Sequence, residues 1–116
     1  MTGLLPRAAA LDAPTLALEH LALPGDQVLE GAPTTGSAVL AEVGGAEVGV
    51  WEITPGVSTD VEADEVFVVL SGAATVEFAS GEPPLTLSPG VVGRLTAGQH
   101  TTWTVTETLR KVYVVG

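Results

Sequence analysis

The sequence predicts an all-β sandwich or barrel of short strands with little or no helix. Turn-forming residues are dense and dispersed: 14 glycines and eight prolines are spread through 116 residues. Between them lie short runs rich in Val and Thr, the pattern of strands joined by tight turns. The length suits one domain with a single core and is too short for two.

In chain order, residues 1–27 read as an N-terminal arm. Pro6 and Pro14 limit any helix between them. Thr15–Leu23 reads as a strand stopped by Pro24-Gly25, and an apolar arm of this kind predicts a homodimer paired through arm strands. Residues 28–116 form the domain proper. Gln27–Glu30 is a short strand and Gly31–Gly36 a loop. Ser37–Val43 and Glu47–Ile53 flank Gly44-Gly45, a hairpin dipeptide. On the second of these strands Glu47, Gly49, Trp51 and Ile53 share one face.

Pro55-Gly56 fits a type II turn and opens a carboxylate-rich stretch with Asp60, Glu62, Asp64 and Glu65. Val66–Leu70 follows as a continuous apolar run, expected to be a strand buried on both sides. After Ser71-Gly72, Ala74–Phe78 alternates, with Ala74, Val76 and Phe78 inward. Leu85–Leu87 and Val91–Leu95 are short strands separated by Pro89-Gly90. In Thr101–Thr108 the faces are Thr101, Trp103, Val105 against Thr102, Thr104, Thr106, and Leu109–Val115 is read as a separate last strand. The total is about nine or ten strands.

Composition excludes several function classes. The net charge of −10 sets 14 acids against Arg7, Arg94, Arg110 and Lys111. Such a chain is repelled by phosphate backbones and anionic membrane surfaces, so neither nucleic acid nor membrane is an expected partner. Without cysteine, thiolate metal sites and Cys nucleophiles are out. No apolar run reaches the roughly 20 residues of a membrane span. The first twelve residues lack a signal-peptide apolar region, and the expected location is cytoplasmic.

The pattern resembles the cupin superfamily, the RmlC-like jelly-roll barrels. That family's first motif runs Gly, His-x-His, three or four residues, Glu, six residues, Gly. Its second half matches Glu65-Val-Phe-Val-Val-Leu-Ser-Gly72. The second motif falls on Gly90, Thr96-Ala-Gly98, Thr101 and Val105. Gly49-Val-Trp-Glu, Thr54-Pro-Gly, Asp64-Glu-Val-Phe, Thr102-Trp-Thr and Leu109-Arg-Lys-Val-Tyr are similar to one branch, the ethanolamine-utilisation cupins and ureidoglycine aminohydrolase domains. The resemblance covers about residues 28–115 and implies a small single-domain jelly-roll barrel.

Carried onto this sequence, the family's metal-binding His-x-His pair falls on Ser58 and Asp60, or on Thr59 and Val61 under the shorter spacing, its Glu on Glu65 and its last His on Thr101. No imidazole stands at a ligand position, so no metal cofactor is expected. The weak candidates for a divalent metal are Asp60, Glu65 and His100, the last one residue off register and facing outward on a regular strand. His20 lies in the arm. Asp60, Glu62 and Glu65 either hold a hard cation through oxygen or form a solvated, exposed loop.

Trp103 is either a wall of a ligand pocket or core filling, and its indole N–H needs a partner if buried. Arg94 and Arg110 are either carboxylate anchors or surface charge. The resulting expectation is a barrel that binds a small polar metabolite in a pocket of Ser58, Asp60, Glu65, Thr101 and Trp103. The alternative is a small-metabolite enzyme, amidohydrolase- or isomerase-like and acting on nitrogen compounds. There Glu65 would be the catalytic acid/base, with or without a weakly held divalent metal.

Overall fold

The computed structural model describes residues 3–116. Nine strands run in the order β1 (His20–Ala22), β2 (Val28–Glu30), β3 (Thr34–Val43), β4 (Ala46–Ile53), β5 (Gly56–Val61), β6 (Glu65–Phe78), β7 (Leu85–Leu87), β8 (Val92–Leu95) and β9 (His100–Val115). Helical structure is confined to single 3-10 turns at Ala13–Thr15 and Gly25–Gln27. Every strand pairing is antiparallel.

Two strands organise the rest. β6 and β9 pair along nearly their whole lengths, from Glu65↔Val115 to Phe78↔Thr101, with register shifts between Val69 and Ala74. Their outer halves take different neighbours. Leu109–Val115 pairs with β4, while His100–Val105 pairs with β5. Glu65–Val68 pairs with β8, while Ala74–Val76 pairs with β7. The bent β6–β9 ribbon thus belongs to two layers, one extended by β4, β3 and β1 and the other by β5 and β2.

The sequence reading split each of these long strands in two, at Ser71-Gly72 and at Thr108. Both breaks are bends. Gly72 has φ +92°, and a Cβ there would stand 2.1 Å from the Thr108 carbonyl oxygen. Glycine therefore lets the two strands cross closely at the corner without ending either. The core lies between the layers and includes Phe67, Val69, Val76, Trp103, Val105 and Leu109.

Three further expectations are corrected. Gly56–Val61 is a strand, where the sequence suggested a turn leading into a charged loop. Its Ser58, Thr59 and Asp60 are polar enough to read as loop, yet β5 lies between β2 and β9. Val66–Leu70 is buried on one face only: Phe67 and Val69 are buried, while Val66 is 42% exposed. Apolar residues cover much of any protein surface, and valine suits a strand on either face. Of the expected strand Thr15–Leu23, only His20–Ala22 pairs, against Thr34–Gly36 of β3.

The arm lies against its own chain. Leu4 and Leu5 donate backbone N–H groups to the Val39 and Leu40 carbonyls at 3.0 and 2.9 Å. Arg110 is buried and donates through Nη1 to the carbonyls of Ala13 and Leu16, at 2.8 and 2.7 Å. Its Nε donates to Glu52 Oε1 at 2.9 Å, and the second Glu52 oxygen meets His20 Nε2 at 2.6 Å. Arg110 is thus neither surface charge nor a ligand anchor; it fastens the arm. Burial works to raise the Glu52 carboxyl, but hydrogen bonds from Arg110 and His20, with their charges, outweigh it and hold it below the usual range.

Candidate functional site

Strand parity builds the site. On either side of the bend in β9, odd-numbered side chains face the interior, and Trp103, Lys111 and Tyr113 are all buried. On β4 the same face carries Glu47, Gly49 and Trp51, in register with Val115, Tyr113 and Lys111. Gly49 is required by this pairing: a Cβ there would lie 2.3 Å from the Tyr113 hydroxyl oxygen. The Tyr113 ring crosses the vacant space, and its hydroxyl donates to Glu47 Oε2 at 2.8 Å. Burial first, and then this bond to Glu47, raise the Tyr113 phenol well above its ordinary value.

These side chains and the end of β5 line a cavity of about 230 Å³ that is open to solvent on one side. It is lined by Glu47, Asp60, Glu62 and Glu65, by Lys111, and by Trp51, Trp103 and Tyr113 among others. Glu62 Oε2 accepts from Thr101 Oγ1 at 2.6 Å and from Trp103 Nε1 at 3.0 Å. The buried indole therefore has the partner it needs, and one carboxylate oxygen is fixed beside the cavity.

Lys111 carries the strongest interactions of the site. The residue is 4% exposed. Its Nζ lies 2.5 Å from Glu65 Oε2. The same nitrogen stands 4.7, 4.5 and 5.1 Å from the ring centroids of Trp51, Phe67 and Trp103. Desolvating an ammonium costs several kcal/mol, which an ion pair of good geometry offsets. Desolvated cation–π contacts of this kind contribute about 2 kcal/mol or more.

Asp60 stands apart. It keeps an exposed edge, and its Oδ1 accepts from the Val61 N–H at 2.8 Å. Desolvation is the largest influence and pushes its carboxyl up; repulsion from Glu62 and Glu65 adds to this. The Val61 hydrogen bond and the Lys111 charge pull the other way and are outweighed.

Of the residues singled out from sequence, Asp60, Glu62, Glu65 and Trp103 line this cavity. Thr101 is buried behind Glu62, and Ser58 lines a separate void of about 30 Å³ against Trp51 and Trp103. His100 is exposed on the opposite face of β9 from Thr101 and lines an open groove with Gln27 and Glu77. His20 is engaged with Glu52 and Thr34. Arg94 is exposed beside Asp64 and Val66. Sequence reasoning missed Lys111, Tyr113, Glu47 and Trp51 as parts of the site. The signal was present in parity, because Lys111 shares an inward face with Trp103, Val105 and Leu109.

The residues present do not fit the divalent metal that the family's motif implies. The three imidazole positions hold Ser58, Asp60 and Thr101, and Glu65 is committed to an ammonium. Among the described residues, no group of three or more His, Asp or Glu side chains is arranged to hold a metal ion.

Comparison with known proteins agrees with this architecture. The family model of the EutQ-like cupin domain matches residues 40–113. A Pseudomonas syringae protein of unknown function, from the DUF861 family, superposes with a TM-score of 0.75 at 22% identity, over 99% of this chain and 52% of that one. The Clostridium difficile EutQ protein gives 0.68 at 15% identity, over 91% and 84% of the two chains. A cupin superfamily protein of Desulfitobacterium hafniense gives 0.63 at 17% identity, over 99% and 96%. At these identities the likeness shows the fold. No curated protein matches the chain.

Proposed function

The chain belongs to the EutQ-like cupin domain family, and from that premise we propose that it binds a small polar, nitrogen-bearing metabolite in the cavity between its layers. The observation that carries this reading is the cavity lining. Four carboxylates face one ammonium there, beside two tryptophan rings and a tyrosine. Such a lining repels anions and favours amines, amides or ureido groups, which donate hydrogen bonds to carboxylates. The Trp51 and Trp103 rings, 5.5 Å apart at 60°, offer apolar and cation–π contact to the rest of the ligand. About 230 Å³ admits only a small molecule.

Calorimetric titration with small amines, ureido compounds, amino acids and dicarboxylates tests this. The expected result is saturable heat with members of the first two classes, weakened at least about tenfold in Trp103→Phe, where a smaller ring replaces the indole and the N–H that holds Glu62 is lost. Binding confined to the dicarboxylates would contradict it.

One observation favours a second reading, catalysis on such a ligand. Asp60 lines the cavity and its proton affinity is raised, the direction that suits a carboxyl acting as general acid/base. Glu65 is the less suited of the two, being engaged by Lys111. If turnover of a bound nitrogen compound is found, Asp60→Asn is expected to abolish it while leaving binding in place. Unchanged turnover would remove Asp60 from the chemistry.

A further inference from the structure

The Lys111 ammonium occupies an environment that a cation-binding site would have. Glu65 bonds it at 2.5 Å, and three ring faces stand within 5.1 Å of the nitrogen. Both kinds of contact suit an ammonium. The carboxylate it engages is the one that the cupin motif assigns to a metal. We propose that Lys111 is the resident cation of this barrel, supplied by the chain itself in the role that the motif gives to a divalent metal. The interior is then an ammonium box filled from within. It is complete without metal, and this holds whether or not the neighbouring cavity takes a ligand.

The residues support the exchange of roles. A divalent ion needs several lone pairs in its coordination shell, whereas the contacts of the Lys111 nitrogen are one carboxylate oxygen and three aromatic faces. Glu47 and Glu62 of the same cavity are engaged by Tyr113, Thr101 and Trp103. Aromatic faces suit an ammonium, which has hydrogen-bond donors and diffuse charge but needs no coordinate bonds. Lys111 also comes from β9, opposite Trp51 of β4 and Val69 of β6. The cation is therefore held by the same ribbon that forms the layer.

Lys111→Ala removes the segment from Cγ to Nζ, which has the shape of n-propylammonium. The variant is expected to lose at least about a hundredfold in its folded-to-unfolded ratio, since it leaves Glu65 buried without its partner. Added n-propylammonium chloride is expected to raise its melting temperature saturably. Neither n-propanol nor MnCl2 should do so, and wild type and Glu65→Gln/Lys111→Ala should show no such rise. Rescue by propanol equal to that by propylammonium would overturn the proposal, because volume alone would then account for the site.

In wild type, equilibrium dialysis is expected to show no stoichiometric Mn2+, and Mn2+ should leave the Trp103 indole N–H resonance unbroadened. One bound equivalent with that resonance broadened would overturn it. If Lys111→Ala does not fold, Glu65→Gln/Lys111→Met decides. This neutral pair of similar volume should recover the stability lost in Glu65→Gln alone. A double variant no more stable than Glu65→Gln would overturn the proposal.

Discussion

At the scale of single residues, Asp60 and Glu52 are opposite cases of a carboxylate in a folded environment. Asp60 is pushed up by desolvation and by Glu62 and Glu65. Its folded form holds a proton more tightly than the unfolded chain, so above its raised pKa the ionised group costs stability. That cost is relieved as pH falls through the raised value. Asp60→Asn removes the charge and is expected to raise the melting temperature at pH 7. A lowered melting temperature would contradict this.

For Glu52, burial is overcome by Arg110 and His20 and the carboxyl is held low. The stability it contributes is fully present above the ordinary carboxylate range, near pH 4.3. It is lost as pH falls from there through the depressed value. Glu52→Gln is therefore expected to lower stability at pH 6 and to flatten acid unfolding below about pH 4. A denaturant midpoint unchanged at pH 6 would contradict it. None of this was legible beforehand, because an acid in a strand sequence does not reveal which base will reach it. Arg110 and His20 meet Glu52 from 58 and 32 residues away.

Among the elements, strand type and face were legible, and strand continuity was not. Alternation placed Ala74 and Val76 inward and put Trp103 with Val105, all of which are buried. A glycine after a serine reads as a stop, however, and only the partner strand shows that Gly72 is a bend. Gly72→Ala tests that reading. It forces a left-handed backbone onto a β-carbon that would sit 2.6 Å from Leu109 Cα. The expected loss is more than about 2 kcal/mol, from strain and backbone displacement together. A loss under about 0.5 kcal/mol, measured by urea unfolding, would mean that the corner is looser than described.

The lysine in the site was missed for a similar reason. Lys111 was counted only as one of the four bases in the charge balance, and lysine is rarely buried without a partner. That partner, Glu65, lies 46 residues away on a strand whose pairing with β9 the sequence did not show.

For the molecule as a whole, a net negative chain holds a buried pair of opposite charges on the wall of a small cavity that opens to solvent. Among the described residues, no helix is long and apolar enough to cross a membrane. The bent β6–β9 ribbon places Glu65, Lys111, Trp103 and Tyr113 at one end of the space between the layers. The arm closes the outside of the first layer through Arg110. The family was legible from motifs spaced along the chain. The site was only half legible, because the residues at the family's ligand positions act through neighbours: Thr101 through Glu62, and Glu65 through Lys111.

The most direct test of the ligand-binding account is the indole region of the 1H–15N spectrum, where Trp51 and Trp103 give the two resonances of this chain. Titration with small amines and ureido compounds is expected to shift the Trp103 resonance saturably, as a ligand enters beside Glu62, while matched dicarboxylates leave it in place. Indole resonances unmoved by the amines and ureido compounds, or moved by dicarboxylates alone, would contradict the account.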